Sequence, residues 1–441
     1  MAAVKSLYAV SLGCPKNLVD TEHMLGLLAK AGYVVTETPE EADVALVNTC
    51  GFIEDAVKES IDTIVELADL RAEGKISRLV VTGCFVQRYG YKLGKEIPEV
   101  DIWFGTGQVA SVVRCLEIPR RNFYLRRPTE LLGHDSPRLR CTPFYTAYLR
   151  ISEGCSHGCS FCMIPKLRGR LRSRPIESIL LEAESLAADG VKEINIVAQD
   201  ITSYGSDLGI KWGIETLVEG LAQVNGIEWI RLLYGHPLGI SERLLDIVER
   251  FDKVCPYLDI PFQHVNERIL GAMGRKGLES PRSLVERIRK RTRDIAIRTT
   301  LMVGFPGEGE REFAELKEFV RWAKLDHVGV FTYCKEKGTK AARLRGGVPR
   351  GIANRRRTEI MELQAEISLS KNQEKIASVL PVLIEGVSEE TDLLLKGRTQ
   401  QMAPDIDGQV YINQGEGMEG EIMKVKITDA YHYDLVGEII Q

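Results

Sequence analysis

The sequence predicts an α/β multidomain chain: an N-terminal parallel α/β sheet domain, a central partial (β/α)6 barrel and a C-terminal small five-stranded β-barrel. Three observations predict it. Apolar runs of strand length alternate with helix-like periodicity up to about residue 121. After an Arg- and Pro-rich linker over 122–140, the alternation resumes and continues to about residue 373. From residue 374 the pattern changes to short strand-like runs divided by Gly-rich turns. A chain of 441 residues has room for three such units, at roughly 150 residues per domain.

In the first unit, residues 1–121, Leu7–Leu12, Val44–Asn48, Leu79–Thr82 and Ile102–Phe104 read as buried strands. Leu18–Lys30, Ile53–Leu70 and Val86–Leu93 have helical spacing of apolar residues between them. Strands divided by helices require right-handed crossovers, so this sheet is parallel.

In the second unit, residues 141–373, the strands are Ala147–Ile151, Glu193–Ala198, Trp229–Tyr234, Leu258–Gln263, Arg298–Val303 and Gly329–Tyr333. The helices between them are Ile176–Ala188, Ile214–Ala222, Glu242–Glu249, Ser283–Arg293 and Glu310–Trp322. Six βα units make part of a barrel, whose site lies in the loops at the strand C-termini. A long polar helix, Ile352–Ile376, closes the unit. In the third, residues 374–441, Val382–Val387, Asp392–Lys396, Val410–Ile412, Glu421–Ile427 and Leu435–Ile440 have the count and spacing of a small five-stranded barrel.

Composition excludes several classes. With 44% apolar and 27% charged residues the chain is ordinary globular protein, not a disordered one. No apolar run approaches the ~18 residues of a membrane span. A net charge of −4 excludes a cationic nucleic-acid coat. Lys5 followed by Ser6–Cys14 imitates a lipoprotein signal, but one lysine is a weak charged region and Ser11 stands where such signals have Leu. The segment reads as a first strand, and the protein is expected in the cytoplasm.

Ten cysteines are too few for a disulfide scaffold, and their grouping suggests metal ligation. Cys155-Ser-His-Gly-Cys159-Ser-Phe-Cys162 places three thiols within eight residues, directly after a strand. Thiolates are soft ligands for an iron–sulfur cluster, copper(I) or zinc. Three of them neither close a tetrahedral zinc site nor fill all four irons of a cubane, so a fourth ligand comes from elsewhere or one iron stays open. His157 could be that ligand, but it reads better as a loop residue. Cys14, Cys50 and Cys84 each follow a strand in successive βα units. In a parallel sheet all strand C-termini lie along one edge, so these thiols should converge there. Gly13, Gly51 and Gly83 flank them and permit close backbone approach. The reading favoured over three buried structural cysteines is a second three-thiolate cluster with one open iron. Cys115, Cys141, Cys255 and Cys334 have no ligand spacing and read as ordinary core or surface thiols.

The spacing Cys-x3-Cys-x2-Cys, with an aromatic before the last Cys, resembles the radical S-adenosylmethionine (radical SAM) superfamily. There the open iron takes the amino and carboxylate groups of S-adenosylmethionine, and an electron cleaves its C–S bond to give a 5′-deoxyadenosyl radical. The three units in this order resemble the methylthiotransferase family, over essentially the whole chain: an N-terminal methylthiotransferase cluster domain, a radical SAM partial TIM barrel and a C-terminal TRAM-like barrel. Ser11-Leu-Gly-Cys14-Pro-Lys-Asn17-Leu-Val-Asp20 resembles its RimO branch, as do Ile164-Pro165, Arg168-Gly169 and Arg172-Ser-Arg174. The tRNA-acting MiaB branch usually has Gln, not Pro, after the first cysteine.

That resemblance implies two 4Fe-4S clusters and S-adenosyl-L-methionine as cofactors. Cys14, Cys50 and Cys84 would hold an auxiliary cluster, and Cys155, Cys159 and Cys162 the radical SAM cluster. Phe161, Gln199 at the end of the second barrel strand, and Gly304 within Thr300–Glu308 would bind S-adenosylmethionine. The implied reaction adds a methylthio group to the β-carbon of an aspartate in ribosomal protein twelve of the small subunit. One S-adenosylmethionine would methylate a sulfur held at the auxiliary cluster, and a second would yield the radical that takes the hydrogen. A basic ribosomal protein, free or on the assembling subunit, and an electron donor are the implied partners, with no membrane and no general acid or base nameable.

Charge separates the branches independently. From Glu374 to Gln441 there are 13 Asp and Glu against 5 Lys and Arg, a net of −8. A tRNA-binding barrel should be cationic, because phosphate neutralisation dominates its affinity. An acidic barrel attracts a basic protein, unless it is merely a solubilising surface. Arg168, Arg170, Arg172 and Arg174 read equally as substrate or carboxylate ligands, a solvated strand edge or a domain contact; Arg355-Arg356-Arg357 reads as a solvated helix face. Gly105-Thr-Gly107-Gln-Val-Ala110 imitates a dinucleotide fingerprint but lacks a βαβ continuation with an acidic ribose ligand. The alternatives are a tRNA adenosine methylthiotransferase and, from another class, a metal-stapled RNA-binding module that holds zinc and cleaves no S-adenosylmethionine.

Overall fold

In a computed structural model the described residues are 5–117, 122–275, 277, 279–291 and 294–440. The boundary expected at residue 121 and the last two residues of the helix expected over Ser283–Arg293 lie outside them.

The first unit contains β1 (Lys5–Ser11), α1 (Pro15–Lys30), β2 (Tyr33–Val35), β3 (Val44–Thr49), α2 (Glu54–Ala72), β4 (Arg78–Gly83), α3 (Cys84–Tyr89), α4 (Leu93–Glu96), β5 (Ile102–Phe104), α5 (Val112–Glu117) and β6 (Asn122–Tyr124). The six strands form one sheet in the order β2-β1-β3-β4-β5-β6, parallel throughout. Alternate residues serve opposite faces. Leu7, Leu46, Val80 and Phe104 meet Met24 and Leu28 of α1, while Ala45, Val47, Val81 and Trp103 meet Ile64 and Leu67 of α2. Burial on both faces explains why the central strands read as unbroken apolar runs. Asn122–Tyr124, expected to begin the linker, is instead the sixth strand, paired with β5. The single helix expected over Val86–Leu93 is interrupted at Gly90, whose φ of +63° ends α3.

The second unit continues with β7 (Thr146–Arg150), β8 (Ser152–Glu153), α6 (Ile164–Leu167), β9 (Arg172–Ser173), α7 (Ile176–Ala188), β10 (Glu193–Val197), α8 (Gly213–Leu221), β11 (Trp229–Leu232), α9 (Glu242–Arg250), β12 (Val254–Asp259), α10 (Glu267–Ala272), α11 (Pro281–Arg289), β13 (Ala296–Val303), α12 (Glu310–Ala323), β14 (His327–Thr332) and α13 (Arg350–Gln373). Its sheet is open, six strands in the order β14-β13-β12-β11-β10-β7, so the barrel is partial as expected. Strand β12 begins at Val254, ahead of the expected Leu258. Pro256 lies inside it, where the β11–β12 register shifts; a residue without an N–H is tolerated at such an irregularity. Helix α13 covers the β14 edge, and its Gln364 and Ser368 satisfy the carbonyls of Leu325 and Asp326.

The third unit is a closed barrel of β15 (Val379–Val387), β16 (Leu395–Thr399), β17 (Val410–Gln414), β18 (Ile422–Ala430) and β19 (Leu435–Ile439), in the order β15-β16-β17-β19-β18. Strand β16 begins at Leu395 rather than Asp392. Val382, Ile384, Val410, Ile412, Val425 and Ile427 fill its interior. This barrel seals the N-terminal end of the open one. Glu193, the first residue of β10, is ion-paired to Arg231 at 3.0 Å and to Arg398 of β16 at 2.8 Å. Tyr257 donates to Asp407 at 2.6 Å. Every member of the Arg231–Glu193–Arg398 set is buried, which makes breaking it costly because an unpaired charge would be left behind.

Candidate functional site

The parallel register of the first sheet carries three thiols to one edge. Ser11 pairs with Asn48, Asn48 with Thr82, and Thr49 with Gly83. Each chain then leaves its strand directly into Cys14, Cys50 or Cys84. Cys14 is the residue before α1 and Pro15 its first turn, a position where the missing N–H costs nothing. Gly13 has a φ of +92°, and a β-carbon there would stand 2.7 Å from Cys50 Cβ and 3.0 Å from its Sγ. A β-carbon on Gly51 would stand 2.6 Å from the Phe85 nitrogen. The three loops close on one another only because these positions lack side chains. Asn17 fastens them: its Nδ2 donates to Leu12 O at 2.9 Å and Thr49 O at 3.0 Å.

The second trio sits on the loop after β8. Cys155 N donates to Gly169 O at 3.1 Å, and Ser160 N to Met273 O at 2.8 Å, so the loop is held from two sides. Burial pushes the Cys84 and Cys162 thiols up to about 12. Thiolates at such positions need a cationic centre to hold them. Among the described residues no three His, Cys, Asp or Glu side chains are gathered tightly enough for one metal ion. A cubane differs, because each thiolate binds its own iron and the sulfurs stand further apart. Two sets of three soft donors, on loops held by backbone bonds, have the chemistry of iron–sulfur ligands.

His157, inside the second loop, is turned away from a ligand role. Its Nε2 lies 2.6 Å from Asp200 Oδ2, and its ring stacks on His236 at 4.0 Å between centroids. Burial would raise the Asp200 carboxyl, but bonds from His157, Ser203 and Thr202 hold it down at about 2.

The two trios are joined by a buried ionic seam that the sequence did not reveal. Asp20 of α1 meets Arg168 at 2.5 Å and also pairs with Arg150. Glu153 reaches Arg150 at 3.1 Å and Arg168 at 3.5 Å. Arg168 Nε donates to Cys84 Sγ at 3.3 Å. Of the four alternating arginines, Arg168 is thus a domain contact. Arg174 is buried against Glu182 at 2.6 Å, Arg172 bonds the Arg168 and Arg170 carbonyls, and Arg170 is exposed. Arg356, expected on a solvated face, is buried on Glu308 at 2.7 Å.

A cleft of about 470 Å³ opens beside the trios, within the size range of small-molecule sites. Phe52, Glu54 and Asp55, just after Cys50, form one wall; Phe161 and Met163, flanking Cys162, form another, with Thr300 and Met302 beyond. Of the residues expected to bind a cofactor, Phe161 lines this cleft. Gln199 instead donates to Glu153 Oε1 at 2.8 Å, joining the ionic seam. Gly304 does not line it: its N–H donates to Glu308 at 3.1 Å, and a β-carbon there would meet Ala353 of α13 at 2.6 Å. Cys334, read as an ordinary thiol, lines the cleft too, 3.5 Å from Glu54. In the dinucleotide look-alike, a β-carbon on Gly107 would stand 2.8 Å from Pro128, so that glycine serves chain packing rather than a phosphate.

Three family models match in succession: an uncharacterized protein family, UPF0004, over residues 6–105; the radical SAM superfamily over 149–320; and the TRAM domain over 376–440. A ribosomal protein uS12 methylthiotransferase RimO of Geobacter sulfurreducens is 49% identical over 443 residues, covering 99% of each chain. That of Trichlorobacter lovleyi is 46% identical, covering 100% of this chain and 99% of its own. Among solved structures, the radical S-adenosylmethionine methyltransferase TsrM of Kitasatospora setae, determined with cobalamin and a [4Fe-4S] cluster, superposes with a TM-score of 0.56 at 14% identity over 74% of each chain. This last likeness is one of fold.

Proposed function

Since the chain belongs to the family of ribosomal protein uS12 methylthiotransferases, RimO, we propose that it adds a methylthio group to the β-carbon of one aspartate of uS12. The observation that carries this reading is the shared cleft: residues following Cys50 and residues flanking Cys162 line the same space. The relatives' name favours uS12 over tRNA, and the radical SAM match favours an enzyme over a zinc-stapled binding module.

Cys155, Cys159 and Cys162 would hold one [4Fe-4S] cluster, and Cys14, Cys50 and Cys84 a second. With S-adenosylmethionine these centres supply hydrogen abstraction from an unactivated carbon and delivery of sulfur to it. The chain's own part is positioning. The Asp20, Arg150, Glu153 and Arg168 seam fixes the first sheet against the barrel, and hence one trio against the other. Such orientation lowers the barrier by removing the need for chance encounter. Arg275 stands beside the second trio and donates to the Pro261 carbonyl at 2.5 Å. It forms no ion pair among the described residues, which suits it to the carboxylate of S-adenosylmethionine. Phe161 offers an apolar wall next to Cys162. No helix among the described residues is long and apolar enough to cross a membrane, and a ribosomal substrate supports a cytoplasmic site of reaction.

The test is mass spectrometry of uS12 from cells lacking the gene, with the reconstituted full chain supplied anaerobically. Loss of one methylthio group, restored by the chain, is expected. An unaltered uS12 together with a missing methylthio group on tRNA would overturn the assignment.

A further inference from the structure

Lys16 is buried, at 8% exposure, two residues after Cys14. Its Nζ lies 3.3 Å from the centre of the Tyr234 ring, and among the described residues it forms no ion pair. Neighbouring cations differ. Arg150 and Arg168 are paired with Asp20 and Glu153, and Arg298 with Asp259 and Asp407. Tyr234, the Cys14 thiol and the Asp259 carboxylate all favour its charged form, but none of them makes an ion pair with it, and a buried cation without a direct counter-ion is expensive, which suits it to an anion that arrives from outside.

The ring beneath it is held in an unusual pose. Tyr234 has a φ of +66°, a conformation costly for a side chain other than glycine and concentrated at functional sites. Asp259 maintains it: its Oδ2 accepts from Tyr234 N at 3.1 Å, and its carbonyl from Gly235 N at 2.8 Å. Two residues on, His236 stacks on His157 of the second cysteine loop. The run Tyr234-Gly235-His236 therefore spans from Lys16, beside the first trio, to the second. Cys14 and Tyr234 are both only half-buried and Lys16 keeps 8% exposure, so solvent reaches this corner of the fold.

We propose that Lys16, seated on Tyr234, is the carboxylate site of the reaction centre, and that it takes the side-chain carboxylate of the target aspartate. This rests on the uS12 reading. A cation at that point fixes the carboxylate and so presents the adjacent β-carbon between the two trios. S-adenosylmethionine also carries a carboxylate, and the test separates the two sources.

Lys16→Met keeps the stem on the ring and removes the charge; Lys16→Arg keeps the charge. Both full-length variants are reconstituted, and iron content, KM for S-adenosylmethionine and KM for uS12 are measured, using uS12 with its target Asp or with Asn in its place. For Lys16→Met the expected result is unchanged iron and KM for S-adenosylmethionine, a KM for uS12 raised roughly tenfold to a hundredfold, the worth of a charge-assisted hydrogen bond, and a collapsed preference for Asp over Asn. Lys16→Arg should recover much of that preference. An unchanged KM for uS12 and Asp preference in Lys16→Met would overturn the proposal. So would a shift confined to KM for S-adenosylmethionine, or a loss of iron in Lys16→Met and Lys16→Arg alike. If the unaltered chain cleaves S-adenosylmethionine but leaves uS12 unmodified, it is the functional reading that fails.

Discussion

Arg168 of the central barrel donates from Nε to the Sγ of Cys84 in the N-terminal sheet, across 3.3 Å. A guanidinium from one domain thus touches a thiol from the other, and the same group is ion-paired to Asp20 at 2.5 Å. Outer hydrogen bonds of this kind set the properties of a metal centre as well as its position.

Replacing Arg168 by Ala should therefore do two things. It leaves Asp20 and Glu153 with one guanidinium instead of two in a buried setting, with a loss of about 3–5 kcal/mol expected in denaturant unfolding. It should also alter the electron paramagnetic resonance signal of the cluster that Cys14, Cys50 and Cys84 are proposed to hold. An unchanged signal in a folded Arg168→Ala variant would show that the contact is structural alone.

Iron counting tests the two-centre arrangement. The anaerobically reconstituted chain should hold about eight irons, as two four-iron clusters require. Changing Cys14, Cys50 and Cys84 together to Ala should halve the count. Changing Cys155, Cys159 and Cys162 to Ala should abolish 5′-deoxyadenosine formation; persistent formation would remove the radical assignment.

Gly13→Ala should behave like a cysteine variant although it touches no ligand atom covalently. Its β-carbon would stand 2.7 Å from Cys50 Cβ, at a φ of +92°. The backbone penalty alone is about 1–2 kcal/mol. The expected outcome is loss of up to half the iron with the barrel's circular dichroism retained.

Glu193 makes stability depend on pH. Burial would raise its carboxyl, but Arg398 and Arg231 outweigh burial and hold it at about 2, below an ordinary 4.5. A depressed carboxyl contributes stability that is fully present above about pH 4.5 and is lost as pH falls toward 2. The contribution is on the order of 3 kcal/mol. Glu193→Gln should flatten the pH dependence of unfolding in that window; an unaltered slope would exclude this residue as its source.

Much of the fold was legible because burial on both faces writes strands as apolar runs, and the three N-terminal cysteines were legible because each directly follows one. What stayed hidden has physical reasons. Tyr33–Val35 and Asn122–Tyr124 are three-residue edge strands, too short to show a period. The start of β12 was masked by Pro256. The seam of Asp20 with Arg168 joins residues 148 positions apart, a pairing that local pattern does not encode. Lys16 and Arg168 were visible in the motif, but their partners were not. Gly304 had the right setting for a cofactor wall, yet its missing side chain makes room for Ala353 instead.

The capped floor of the central barrel has a consequence for traffic. Arg398 and Asp407 stopper the end opposite the cysteines, which leaves the cysteine-bearing end as the shared approach for small reagents and the bulky protein guest. Turnover should then be ordered by queueing, each visitor departing before its successor is admitted.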